Sequence, residues 1–176
     1  MIFGGCDVVH LGEQYGTPLH VVDKVKLTSN YTHFERCLKH AGLSCHIHTS
    51  YKTNPIPAVL GELHKQGAGA EVISPYELYL ACRLGVDPDY IIYNGVNKSV
   101  DSLREAIQKK IKCVNINSFK EIEDIHKITQ ELSVPANVGA RVCPSIGIGG
   151  QFGFKISTGE ALQAFKIMKM KKHFRI

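Results

Sequence analysis

His46-Ile47-His48-Thr49-Ser50-Tyr51-Lys52-Thr53-Asn54-Pro55 carries the main clue to the architecture. It mixes β-branched, aromatic and small residues as a buried strand does, and Asn-Pro ends it sharply. The stretch therefore reads as a core strand with Lys52 at its carboxyl end. In proteins built from repeated strand–helix units, that edge is where chemistry is done. A point charge there is costly unless it is paired, neutralised or converted to an imine. Two readings of Lys52 follow from the residues alone. Either it serves such chemistry, or it snorkels its ammonium to the surface past the strand end.

Outward from this strand the same unit recurs. Upstream, Pro18 to Asp23 reads as a short strand, and Val25 to Ala41 carries Leu27, Tyr31, Phe34 and Leu38 at helical spacing, with Gly42 to end it. Downstream, a helix opens at Pro57 with Leu60 and Leu63 inward, and Gly67-Ala68-Gly69 turns into the strand Ala70 to Ile73. Ser74 is the expected N-cap of the next helix, with Pro75 first and Glu77 completing a capping box. Strand Tyr90 to Tyr93, N-cap Ser99 and a helix through Ile107 follow, then strand Lys112 to Ile116 and N-cap Ser118. The helix after it uses Ile122, Ile125, Ile128 and Leu132. Strand Asn137 to Val142 and a last helix from about Thr158 to Lys171 complete the pattern. Strands alternating with helices at this spacing predict an α/β protein with a parallel sheet and helices packed outside. Five strands from the Lys52 strand onward fall short of a closed (β/α)8 barrel, which takes eight strands and about 250 residues. An open doubly wound sheet is the competing architecture.

Composition narrows the class. The chain has 176 residues, 44% hydrophobic and 21% charged, the profile of a globular domain large enough for a sizeable core. No apolar run approaches the roughly 20 residues of a membrane span, and the amino terminus lacks a secretion signal, so a cytoplasmic location is expected. The six cysteines show no CxxC spacing, which argues against zinc; Cys45 and Cys113 lie in apolar strand-like runs and are expected to be buried and reduced. Of nine histidines, His46 and His48 alternate on one strand face, but no third metal ligand lies nearby in sequence. A net charge of +5 is mild, and much of it lies in Lys166 to Arg175, read as a solvated helix end rather than a nucleic-acid or membrane surface.

Six segments in order then resemble one family. Tyr15-Gly16-Thr17-Pro18-Leu19-His20-Val21-Val22-Asp23 is similar to the opening motif of the diaminopimelate/ornithine/arginine decarboxylases, the fold-type III pyridoxal phosphate enzymes related to alanine racemase. Tyr51-Lys52-Thr53-Asn54-Pro55 resembles their lysine motif, and Gly67 to Ser74 with Glu77-Leu78 the next strand and helix start. Tyr93-Asn94-Gly95-Val96-Asn97-Lys98-Ser99, then Asn115 to Ser118 with Glu121-Ile122, match the following two. Arg141-Val142-Cys143-Pro144 and Gln151-Phe152-Gly153-Phe154 match the last. The look is nearest to diaminopimelate-decarboxylase-like members, over about residues 13 to 165.

The resemblance implies a TIM-like barrel of the alanine racemase type, incomplete, with about five to six βα units. Residues 24–176 would form the partial barrel. Residues 1–23 would carry a strand that joins a second, β domain. It implies pyridoxal 5'-phosphate held as an imine to Lys52, Glu71 (where the family usually has aspartate) balancing charge, and Arg141 near the cofactor ring. The residue-level alternative for Arg141 is a barrel-interior salt bridge with Glu71. The implied partners are a small amino-acid substrate and, in the full-length form, a second copy in a homodimer. Gly147-Ile148-Gly149-Gly150 invites a phosphate-loop reading; the family's phosphate loop comes later, so a loop at the barrel mouth is expected instead. The family's cofactor-stacking histidine, phosphate glycines and pyridine-pairing acid have no counterpart within these residues. The expectation is therefore an amino-terminal portion of a decarboxylase with little activity alone. A non-catalytic decarboxylase-like interaction module and a single-barrel pyridoxal phosphate homeostasis protein are the alternatives.

Overall fold

The computed structural model describes residues 1–144 and 152–176. The Gly147–Gly150 loop named above lies outside the described residues. The chain opens with a two-stranded antiparallel hairpin, β1 (Ile2–Phe3) and β2 (Cys6–Asp7), followed by helices α1 (Val8–Tyr15) and α2 (Lys24–His40). The repeated units then run β3 (His48–Ser50), α3 (Pro57–Lys65), β4 (Gly69–Val72), α4 (Pro75–Arg83), β5 (Ile91–Tyr93) and α5 (Val100–Gln108). They continue through β6 (Cys113–Ile116), α6 (Phe119–Leu132) and β7 (Ala136–Ala140). A small parallel pair follows, β8 (Val142–Cys143) with β9 (Phe154–Lys155), then α7 (Glu160–Met170) and β10 (Phe174–Arg175).

Strand order decides between the two candidate architectures. The main sheet has six parallel strands in the order β10-β7-β6-β5-β4-β3, so each new strand adds on the same side as the last. A doubly wound sheet reverses its order at a switch point. Here no reversal occurs, and right-handed crossovers then place every intervening helix on one face. The sheet is an incomplete barrel of the (β/α) type.

Period-two alternation shows which face is which. Ala70, Val72, Ile91, Tyr93, Val114, Ile116, Ala136 and Val138 are buried and pack with Leu60, Leu78, Leu103, Ile122, Ile125 and Ile128 from the helices. The intervening positions His48, Ser50, Glu71, Asn94, Cys113, Asn115, Asn137 and Gly139 are only partly buried. They form the concave, polar lumen. Hydrophobic burial sits outside the sheet, and chemistry-bearing groups sit inside it.

The serine caps form as the sequence predicts. Ser74, Ser99 and Ser118 accept from the backbone N–H groups of Glu77, Ser102 and Glu121 at 3.2, 3.2 and 3.3 Å. Glu77 and Glu121 reach one residue beyond the cap, accepting from Ile73 and Asn117 N–H at 2.7 Å each. Each cap of this kind contributes about 1 kcal/mol.

Three expectations need correction. Among the described residues, Pro18 to Asp23 belongs to no sheet, because no strand lies beside it to complete a ladder; Leu19, Val21 and Val22 stay exposed and Asp23 instead caps α2. Cys45 is exposed and precedes the strand rather than lying in it, because β3 begins only where pairing with β4 starts. The basic tail is not merely a helix end: Lys171 pairs with Glu123 at 2.8 Å, and Phe174–Arg175 add the sixth strand. Among the described residues, no helix is long and apolar enough to cross a membrane.

Candidate active site

Lys52 lies two residues past the end of β3 in a turn, not within the strand, and its side chain is exposed. Tyr51 N–H still donates to Glu71 O at 3.0 Å, prolonging the ladder by one residue. Thr53 then folds back, its N–H and Oγ1 donating to Ser50 O at 3.2 and 2.7 Å. Alternation carries Tyr51 to the helix side and Lys52 to the lumen side. The cost of a buried ammonium therefore does not arise.

Lys52 and Arg141 line one cavity of about 270 Å³ at the carboxyl ends of the strands, with Ser74, Asn97 and Phe152 among its walls. Arg141 follows β7, and its N–H donates to Ile116 O at 2.8 Å. Its guanidinium sits 5.0 Å from the centre of the Phe152 ring, a cation–π contact. Among the described residues, no ion pair joins Arg141 to Glu71, so the proposed interior salt bridge is not formed.

Glu71 stands in the lumen within a side-chain hydrogen-bond chain. Its Oε2 accepts from Ser50 Oγ, and its Oε1 accepts from Asn94 Nδ2 at 2.7 Å. Asn94 Oδ1 in turn accepts from Asn115 Nδ2 at 2.6 Å. Residues on three strands, β3, β4 and β6, and one just past the end of β5 thereby form one chain around this carboxylate. The sequence motif singles out Glu71 as a candidate but not its hydrogen-bond partners. The signal was available: Asn94 and Asn115 share Glu71's parity once the strands are set in register.

Lys98 was also missed as a site residue. Its side chain is 0% exposed, and its Nζ lies 3.0 Å from Glu121 Oε1, whose side chain is 7% exposed. The ammonium also donates to Gly95 O at 2.8 Å and Asn115 O at 3.0 Å. Burial pulls the Lys98 amine below its ordinary range, and the Glu121 carboxylate opposes that shift. This pair clamps the loop after β5 onto the start of α6, which holds the cavity wall at Gly95 to Asn97. Gly95 itself has φ +98, and a Cβ there would lie 2.2 Å from Ile73 O, so only glycine lets the two loops approach.

His46 stacks on Tyr90 with centroids 4.3 Å apart, and His48 packs over Gly69 with its Nε2 buried and, among the described residues, without a hydrogen-bond partner. Burial lowers the His48 pKa.

Residues 24–173 match the family described as pyridoxal-dependent decarboxylase, pyridoxal binding domain. The chain belongs to this family. A diaminopimelate decarboxylase of Methanothermobacter thermautotrophicus is 32% identical over 149 residues, covering 85% of this chain and 34% of that protein. Another, from Bacillus subtilis, is 27% identical and is matched over 98% of this chain and 42% of its own length. The crystal structure of the M. jannaschii diaminopimelate decarboxylase with L-lysine superposes with a TM-score of 0.88 at 28% identity, covering 97% of this chain and 43% of that one. This chain thus spans well under half the length of the relatives it matches. The family is one of pyridoxal phosphate-dependent decarboxylases, and the superposition agrees with the barrel reading of strand order.

Proposed function

We propose that this chain forms the lysine-bearing part of a pyridoxal phosphate-dependent amino-acid decarboxylase acting on diaminopimelate or a closely similar amino acid. The observation that carries this reading is the shared cavity of Lys52 and Arg141 at the carboxyl ends of the strands. Its donor set suits a phosphorylated aromatic aldehyde: a solvent-reachable amine to condense with the carbonyl, a guanidinium beside the Phe152 ring, and the amino terminus of α4 at Ser74–Pro75, which favours negative charge. The relatives' names favour diaminopimelate over other amino acids.

Pyridoxal phosphate, when bound, supplies an electron sink for the charge left by departing carbon dioxide. The chain's own residues would do the rest. Lys52 would hold the cofactor covalently, its amine brought to the cavity by the turn after β3. Arg141 would orient it, with Phe152 restricting where the guanidinium can go. Glu71, its carboxylate held by Ser50 and Asn94, would balance positive charge in the lumen at no cost in reorganisation.

Residues 1–23 would lie outside the barrel unit of residues 24–176, with Pro18 to Asp23 available to a second sheet. Support comes from the exposure of Leu19, Val21 and Val22, from the absence of any pairing between residues 1–23 and the six-stranded sheet among the described residues, and from the family match that begins at residue 24. The partly exposed lumen supports little or no turnover by these 176 residues alone, and a homodimer would be the full-length form. The test is absorbance: adding pyridoxal phosphate should produce a visible imine band that is lost in Lys52→Ala. A band that persists in Lys52→Ala would overturn the assignment.

A further inference from the structure

The residue just before Lys52 is buried and polar, and nothing in the proposed chemistry uses it. Tyr51 is 0% exposed, on the helix side of the sheet, while its neighbour Lys52 faces the lumen. Its hydroxyl lies 2.7 Å from His64 Nε2, and His64 Nδ1 lies 2.8 Å from Ala68 O. A backbone carbonyl only accepts, so Nδ1 carries the imidazole proton. Nε2 is then an acceptor and the Tyr51 hydroxyl must donate. Burial favours this neutral histidine. The relay ties three segments together: the end of β3, the last turn of α3, and the loop that enters β4.

We propose that Tyr51 and His64 form a positioning pair that sets the turn carrying Lys52, so that the amine is presented to the cavity in one orientation. Tyr51 and Lys52 share a peptide unit, and a side chain locked at one end restricts the backbone on which the other is mounted. A phenylalanine would fill the same space, but it would release the ring from its anchor and leave His64 Nε2 without a partner. Neither Tyr51 nor His64 touches the cavity that Lys52 lines, so their action is through the turn. This proposal rests on Lys52 being the cofactor lysine.

The test compares Tyr51→Phe, His64→Ala and His64→Gln with the parent chain in two measurements. The first is amide hydrogen exchange at Thr53, whose N–H bonds to Ser50 O, with the amides of β5 and β6 as internal reference. The second is the yield of the borohydride-reduced pyridoxal phosphate adduct on Lys52, read by peptide mass at a subsaturating cofactor concentration. Tyr51→Phe and His64→Ala should each speed Thr53 exchange and lower the Lys52 adduct by about tenfold, equivalent to about 1.4 kcal/mol. The β5 and β6 amides should not change. His64→Gln, whose amide oxygen can still accept from Tyr51, should recover most of both signals. Thr53 exchange within twofold of the parent in Tyr51→Phe would overturn the proposal, as would faster exchange with an unchanged adduct. If the parent chain itself gives no adduct on Lys52, the cofactor assignment fails, and Thr53 exchange alone then decides whether the pair sets the turn.

Discussion

Lys98→Met removes the ammonium from a site with three oxygen acceptors and no solvent. The change keeps the length of the stem but strands the Glu121 carboxylate, which then retains only the Asn117 N–H at 2.7 Å. Breaking a buried pair by removing one partner costs about 3–5 kcal/mol, because the remaining charge is left uncompensated. For a chain of this size each kcal/mol shifts the melting temperature by about 2–4 °C, so Lys98→Met should melt roughly 6–20 °C lower. Glu121→Gln alone should cost a similar amount, since it leaves the ammonium with carbonyls only. The double variant Lys98→Met/Glu121→Gln should be less destabilised than the sum of the two singles, with a coupling of about 1–3 kcal/mol. Urea titration followed by circular dichroism measures all four proteins. A loss below about 1 kcal/mol in Lys98→Met, or strict additivity in the double variant, would refute the view that this pair holds the cavity wall.

Gly95→Ala must place a Cβ against Ile73 O at a positive φ, so it should destabilise by more than about 1 kcal/mol and reduce cofactor uptake, read by urea midpoint and imine absorbance. Acidification gives a signed prediction. Burial holds the pKa values of His48 and His64 below the ordinary 6.5, so between that value and the lower folded-state values the unfolded chain binds more protons. Stability should be full above about pH 6.5 and fall as pH drops through that window, and His64→Gln should flatten the slope in urea midpoints taken from pH 7.5 to 5. A midpoint that rises on acidification through this range would contradict the assignment. Asn94→Leu breaks the lumen chain between Glu71 and Asn115 and should cost about 1–3 kcal/mol by the same urea assay.

Much of the fold was legible because local rules and tertiary packing agree in the repeated units. Ser74, Ser99 and Ser118 announce their helices, and the apolar runs between them are the faces that bury against those helices. The failures fall where local sequence needs a partner it does not have nearby. Pro18 to Asp23 has strand composition, but composition supplies no hydrogen-bond partner, so the segment stays unpaired. The Phe174–Arg175 strand sits in a basic run with no β pattern and forms because β7 offers an edge.

Motifs singled out Lys52, Glu71 and Arg141 as candidates, but the partners each one takes were not legible. That Glu71 bonds to Ser50 and Asn94, rather than to Arg141, depends on strand register across residues far apart in sequence. The burial of Lys98 depends likewise on Glu121, which belongs to the next unit. The amphipathic lysine stem disguised a buried charge as an ordinary loop residue.

If Lys52 is the amine that takes up the cofactor, incubating the chain with pyridoxal phosphate, reducing with borohydride and mapping the modified peptides by mass spectrometry will reveal it. One dominant modified site, Lys52, is expected, with the remaining lysines labelled only at a low, uniform level. Label spread evenly over surface lysines, or concentrated at Lys98 or in the Lys166–Lys172 run, would contradict it.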